Sequence, residues 1–149
     1  MTSMDEWQPG RLLANICRLH ATRADQLMDQ IGLYRGQAIL LLILSSQDGR
    51  THTEIAQELH ISPAATTKII QRLEQSSYLE RRPDPSDERV SRVYLLEDGR
   101  AVIQQIKDSF RQLDRATTAN FTSEEQEILR DLLIRIFINL KAASFDNSK

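Results

Sequence analysis

The sequence predicts a mainly helical chain carrying one small β-hairpin, a mainly α fold of the α+β kind, and three observations predict it. Gly (5) and Pro (4) are scarce in 149 residues and gather in a few places. Long helices need little such punctuation, whereas a β-sandwich needs a great deal. Apolar residues recur at three- and four-residue steps along most of the chain, which is the period of one helix face. Only from Leu79 to Leu96 does the period drop to two, with Val93 and Leu95 alternating against Arg92 and Tyr94.

The elements follow in order. Leu13, Cys17, His20, Ala24, Leu27 and Ile31 share one face of a long first helix, which Gly32 ends. Ala38 to Leu44 is apolar all round, so it reads as a buried second helix closed by Gly49. Thr51 and Glu54 have capping-box spacing ahead of a short helix with Ile55, Ala56 and Leu59 on its face. Ser62-Pro63 starts another helix: Ser caps free N–H groups, and Pro at the first position has no N–H to waste. Its inner face is Thr66, Ile69, Ile70 and Leu73. Ile61 joins Ile55, Ala56 and Leu59 in holding the pair of helices together. Leu79–Arg82 and Arg92–Leu96 form the hairpin strands, with the turn-forming run Pro83–Val90 as a polar tip. Two more helices close the chain, one over 97–119 and one from Thr122, capped by Glu125, to about Ala142. The tail, Ser144 to Lys149, is expected to be loose.

Composition narrows the function. Apolar residues make up 40% and charged residues 27%, enough to bury a core. The net charge of -2 excludes a wholly basic nucleic-acid coat, although not a local basic patch. One cysteine excludes an internal disulfide or a cysteine-cluster zinc site and fits a reducing compartment. No apolar run approaches the length of about 20 residues that a membrane span needs, and the start of the chain lacks the pattern of a secretory signal. The protein is expected in the cytoplasm. Neither a phosphate loop, nor a zinc-protease motif, nor a nucleophile elbow is present, so no enzyme and no cofactor are expected. Carboxylate pairs such as Asp5-Glu6, Glu97-Asp98 and Glu124-Glu125 sit at helix starts or the terminus, where they complement the positive helix end.

Two short helices, a tight turn and a hairpin are the order of a winged helix-turn-helix. Once the inner face is used for packing, the Ser62-Pro63 helix leaves Ala64, Thr67, Lys68, Gln71 and Gln75 outside, with Arg72 at the edge. None is acidic. Such a face can enter a major groove, with Lys68 and Arg72 on phosphates or guanine edges and Gln71 on a base edge. Ser62 adds the positive helix end. At the hairpin tip Arg89 stands two residues after Asp87, a spacing that lets the carboxylate hold the guanidinium in one orientation for a narrow minor groove. A solvated polar face and a surface ion pair are the plain alternative, and the module then binds protein instead of DNA.

Leu59-x-Ile61-Ser-Pro-x-x-Thr66-Thr-Lys-Ile-Ile-x-Arg-Leu-Glu74, followed by Leu79-x-Arg-Arg-Pro-Asp-Pro-x-Asp87-x-Arg89-x-x-Arg92-Val-x-Leu95 and Gly99, resembles the MarR family of bacterial transcription regulators. The resemblance covers almost the whole chain, 1–149, as one domain. It implies a DNA-binding region over 36–99 between dimerisation helices at 11–35 and 101–142. It also implies a homodimer on a pseudo-palindromic operator, Asp87 orienting Arg89, and Arg92 anchoring the wing or meeting backbone. A repressor released by a small anionic or lipophilic effector is the expected mode of action. Leu96 stands where the family has a capping Thr, and His60 where Gly is common in such turns. Arg11, Arg18, His20 and Arg23 are candidates to meet an anionic effector. Cys17 occupies a place like that of a peroxide-sensing thiol in one branch of the family, but Arg35 follows Tyr34 where supporting tyrosines belong. Its apolar stripe predicts a buried structural thiol, with a redox sensor as the alternative. Cys17 and His20 lie one turn apart without an acidic partner, so no metal is expected.

Overall fold

A computed structural model describes residues 8–143. The expectations for Asp5-Glu6 and for the tail lie outside the described residues. Element order is α1 (Pro9–Asp29), α2 (Arg35–Ser46), β1 (Arg50–Thr51), α3 (His52–Leu59), α4 (Pro63–Gln75), β2 (Leu79–Pro83), β3 (Ser91–Leu95), α5 (Glu97–Thr117) and α6 (Ser123–Ala142). The chain divides into two compact units at Leu113/Asp114.

In the first unit α2 is the central helix. Ala38, Leu40, Leu41 and Leu44 are almost fully buried, as a helix apolar all round requires. Around them pack Met28 and Leu33, Ile55 of α3, Ile70 and Leu73 of α4, Leu79, Val93 and Leu95 of the sheet, and Val102 and Ile106 of α5. Each such side chain contributes about 1.5–3 kcal/mol by leaving water. Ala56 is buried on α3, and Thr66 on α4 is wholly buried with its hydroxyl donating to the Ser62 carbonyl at 3.1 Å.

The helix ends form as their sequences dictate. Thr51 accepts from the Glu54 backbone N–H at 3.3 Å while Glu54 accepts from the Thr51 N–H at 2.7 Å. Thr122 and Glu125 repeat that exchange at the start of α6. Ser62 caps α4 by accepting from the Ala65 N–H at 3.2 Å. His60 closes α3 in the left-handed region, φ 54°, the conformation the turn asks of a residue in a place often held by Gly.

Three expectations need correction. The wing is a three-stranded antiparallel sheet of order β1-β3-β2, not a two-stranded hairpin. Arg50 and Thr51 pair with Val93 and Arg92, a stretch too short to show a period in the sequence. Ile61 is 38% exposed and belongs neither to the core nor to the side chains packed against it. On α1 the buried residues are Ala24 and Met28 only, while Cys17 and His20 are exposed. The apolar stripe is real, but only its C-terminal half meets this core.

Gly99 is fixed by close approach. A Cβ there would stand 2.1 Å from the Tyr78 carbonyl oxygen, which also accepts from the Leu96 N–H at 3.0 Å. That contact seats the start of α5 on the end of the α4–β2 turn, where Leu96 itself has no capping oxygen.

In the second unit α6 has no buried residue. Ile128, Leu132, Leu133, Ile136, Phe137 and Leu140 all lie exposed along it. No helix among the described residues is long and apolar enough to cross a membrane.

Candidate nucleic-acid interface

The outer face of α4 is built by subtraction. Thr66, Ile70 and Leu73 face the core, so Ala64, Lys68, Gln71, Arg72 and Gln75 stand exposed and Thr67 half-exposed. Ser62, also exposed, begins that face at the positive end of the helix. Arg72 is not a free edge residue: its guanidinium lies over the Tyr34 ring, 5.7 Å from the centroid, at the start of α2. Thr67 is bonded to His52 and to the Pro63 carbonyl. At the far end of α4, Glu74 accepts from Arg81 Nη2 at 2.7 Å and from Nε at 3.1 Å, tying the helix to β2. That pairing holds the Glu74 carboxyl below its usual range.

The wing tip has the expected geometry. Asp87 receives Arg89 Nε on Oδ1 at 2.9 Å and Nη2 on Oδ2 at 3.0 Å, a two-point fork, and its Oδ1 also accepts from the Arg89 backbone N–H at 3.1 Å. The Arg89 side chain is nonetheless 90% exposed. A guanidinium held from behind by its own turn, and open in front, is oriented without being buried. Hydrogen bonding from the Arg89 side chain, then from its backbone, holds the Asp87 carboxyl below the ordinary carboxylate range.

Arg92 is an internal strut. It donates through Nε to Asp84 and through Nη1 to the Gly49 carbonyl at 2.8 Å, binding the tip to the residue just before β1. Asp84 is the residue the sequence reading missed. It is buried, and besides Arg92 it accepts from the Ser86 N–H at 2.7 Å and the Asp87 N–H at 3.3 Å. Arg92 first, then the Ser86 N–H, pulls its carboxyl below the usual range. In sequence, Asp84 between two prolines looked only like a turn former. Asp48 plays a similar part at the other end of the sheet, accepting from the Leu95 N–H at 2.9 Å and from Arg100 Nη2 at 2.5 Å. Arg82 lies over the Tyr94 ring at 4.9 Å, so the outer wing strand also carries a cation stacked in place.

The residues proposed for an effector do not converge. Arg11, Cys17, Arg18, His20 and Arg23 are exposed along α1. Arg18 donates to Asn15 at 3.2 Å and Arg23 to Gln26 at 2.8 Å, both along the same helix. The expected burial of Cys17 is not found; the thiol is exposed, because its turn of α1 lies beyond the reach of the core. No group of three or more metal-ligating side chains occurs among the described residues.

Comparison with known proteins agrees with this architecture. Residues 33–91 match the model of the MarR family. The chain is 26% identical over 129 residues to YsmB of Bacillus subtilis, an uncharacterized HTH-type transcriptional regulator, covering 87% of this chain and 88% of that one. Its fold is similar to that of a mutant MarR from E. coli solved with operator DNA (TM-score 0.78, 24% identity, 91% of this chain and 99% of that one). It is similar again to BpsR of Bordetella bronchiseptica, whose DNA binding is regulated by 6-hydroxynicotinic acid (TM-score 0.79, 23% identity, 93% and 96%). The helix-turn-helix and the Arg fork at the wing tip both lie within residues 33–91, the stretch of this chain that is similar to the MarR family.

Proposed function

We propose that this regulator is a homodimeric, sequence-specific repressor that binds a pseudo-palindromic operator in the cytoplasm and releases it on binding a small anionic or lipophilic effector. The observation that carries the reading is the pairing of an acid-free outer face on α4 with the exposed, forked Arg89 at the wing tip. The first suits a major groove and the second a minor groove beside it. In this reading Ser62, Ala64, Thr67, Lys68, Gln71, Arg72 and Gln75 meet the major groove. Arg89 meets the minor groove, Asp87 orients it, and Arg92 braces the wing.

The dimer rests on α6. Its exposed stripe is far more apolar than a solvated helix tolerates, and a second copy offers the matching stripe in a closed two-fold contact. The dimerisation segments are 11–35 and 101–142. Effector control is supported by likeness to BpsR.

A gel shift on the duplex upstream of the protein's own coding sequence, run at several salt concentrations with competitor DNA, tests the reading. A DNA reader loses affinity steeply as salt rises, because each neutralised phosphate releases counterions. Affinity for unrelated duplex equal to affinity for the target, or no binding at low salt, contradicts it and favours a protein-binding module.

A further inference from the structure

One side chain on the outer face of α4 has its hydrogen-bonding role fixed before any DNA arrives. Thr67 Oγ1 lies 2.9 Å from the Pro63 carbonyl oxygen and 2.8 Å from Nε2 of His52, the first residue of α3. A carbonyl has no proton to give, so the first contact requires the Thr67 hydroxyl to donate. A hydroxyl has only one proton. The second contact therefore requires His52 to donate, through Nε2–H. A doubly protonated imidazole donates there equally well, so the assignment does not depend on the charge of the ring. Thr67 Oγ1 is left with an unused lone pair and no proton to offer.

We propose that His52 is a positioning residue that makes Thr67 an obligate acceptor, and that Thr67 thereby selects a base whose exocyclic amino group lies in the major groove. The inference rests on the reading of α4 as the DNA-facing helix. Thr67 shares a face with Ala64, three residues before it, and Gln71, four after it, both exposed. In the major groove the only donors on base edges are the adenine N6 and cytosine N4 amino groups. Guanine O6 and N7, thymine O4 and the phosphate oxygens are all acceptors. A threonine with a free proton can pair with either kind of group, which is why Thr alone is a poor discriminator. His52 removes that freedom from the second element of the motif, without touching DNA itself.

The probe is a pool of random-sequence duplexes, selected by binding to the full-length protein and sequenced. The parent is expected to select a motif in which one position within each half-site requires adenine or cytosine on the strand facing α4. Thr67→Val keeps the shape and removes the oxygen; His52→Ala removes the donor. Each is expected to flatten the preference at that one position by about tenfold and leave the other positions sharp. His52→Gln, whose amide N–H reaches about as far as Nε2, is expected to restore it. A merely structural role for His52 predicts instead a uniform loss across the motif, with no rescue by Gln. Overturning results are an unchanged motif in both Thr67→Val and His52→Ala, or undiminished binding when the amino group of the adenine or cytosine at the sensitive position is replaced by hydrogen. A parent that selects no motif at all overturns the DNA reading itself, and this inference with it.

Discussion

Asp87 is a negative charge held where the account expects a polyanion, and its two-point grip on Arg89 gives it a reason to be there. Arg89→Ala is expected to weaken operator binding by about 10- to 100-fold, the range of one good groove contact. With its side chain 90% exposed, its loss leaves thermal stability nearly unchanged. Asp87→Ala carries the sharper sign. Simple electrostatics counts the removal of an acid near phosphate as a gain, whereas loss of the fork frees the guanidinium and weakens binding. Tighter binding by Asp87→Ala in a titration at fixed salt would show that the acid orients nothing. Gly99 is a different kind of residue-scale constraint. A methyl group 2.1 Å from the Tyr78 carbonyl oxygen has to push backbone aside. Gly99→Ala should cost about 1–3 kcal/mol in chemical denaturation, the usual range for overpacking. The Asp87-x-Arg89 pair and Gly99 were both visible in the sequence as a spacing and as a resemblance. The stack of Arg72 on Tyr34 and the bond from His52 to Thr67 were not, since 38 and 15 residues separate the partners and neither pair follows a local period.

Among the elements, the wing shows most plainly what a sequence leaves out. Its two long strands announce themselves by alternation, but its third strand is two residues long and its tip is tied together by the buried Asp84. That carboxylate gathers two backbone N–H groups and the Arg92 guanidinium, and Arg92 reaches across to the Gly49 carbonyl. Because these partners hold the folded carboxyl below its unfolded value, the network stabilises the protein above the ordinary Asp range of about 3.9 and is lost as pH falls through the lowered value. Asp84→Asn is expected to lower the melting temperature at pH 7 and to flatten its decline as pH falls below the ordinary Asp value of about 3.9. Equal acid slopes for parent and variant would remove Asp84 from the account. Helix ends and buried faces were far more legible. Thr51/Glu54, Ser62-Pro63 and Thr122/Glu125 each form the cap that their spacing announces, because a cap is decided within four residues. The stripe of α1 was read correctly as a face and wrongly as buried at Cys17. A periodic pattern tells which side of a helix is apolar; it does not say how far along that side the core extends.

In the whole molecule α6 is the seam of the proposed two-fold dimer, since its stripe leaves Phe137 66% and Ile128 60% exposed. Sedimentation equilibrium at micromolar concentration should give about twice 17.1 kDa. Phe137→Glu, which places a charge on the stripe, should shift the protein toward monomer and abolish high-affinity operator binding along with it. In the proposed dimer two such modules, joined by their terminal helices, read two half-sites on one face of a duplex. Footprinting with dimethyl sulfate, which reads guanine N7 in the major groove, and with hydroxyl radical, which reads the minor-groove side of the backbone, on a sequence selected from random duplexes measures this directly. Two protected major-groove segments related by a dyad, with centres about 10–10.5 base pairs apart and a protected minor-groove flank outside each, are the predicted result. A single unsymmetric footprint, or uniform protection without a dyad, would contradict it.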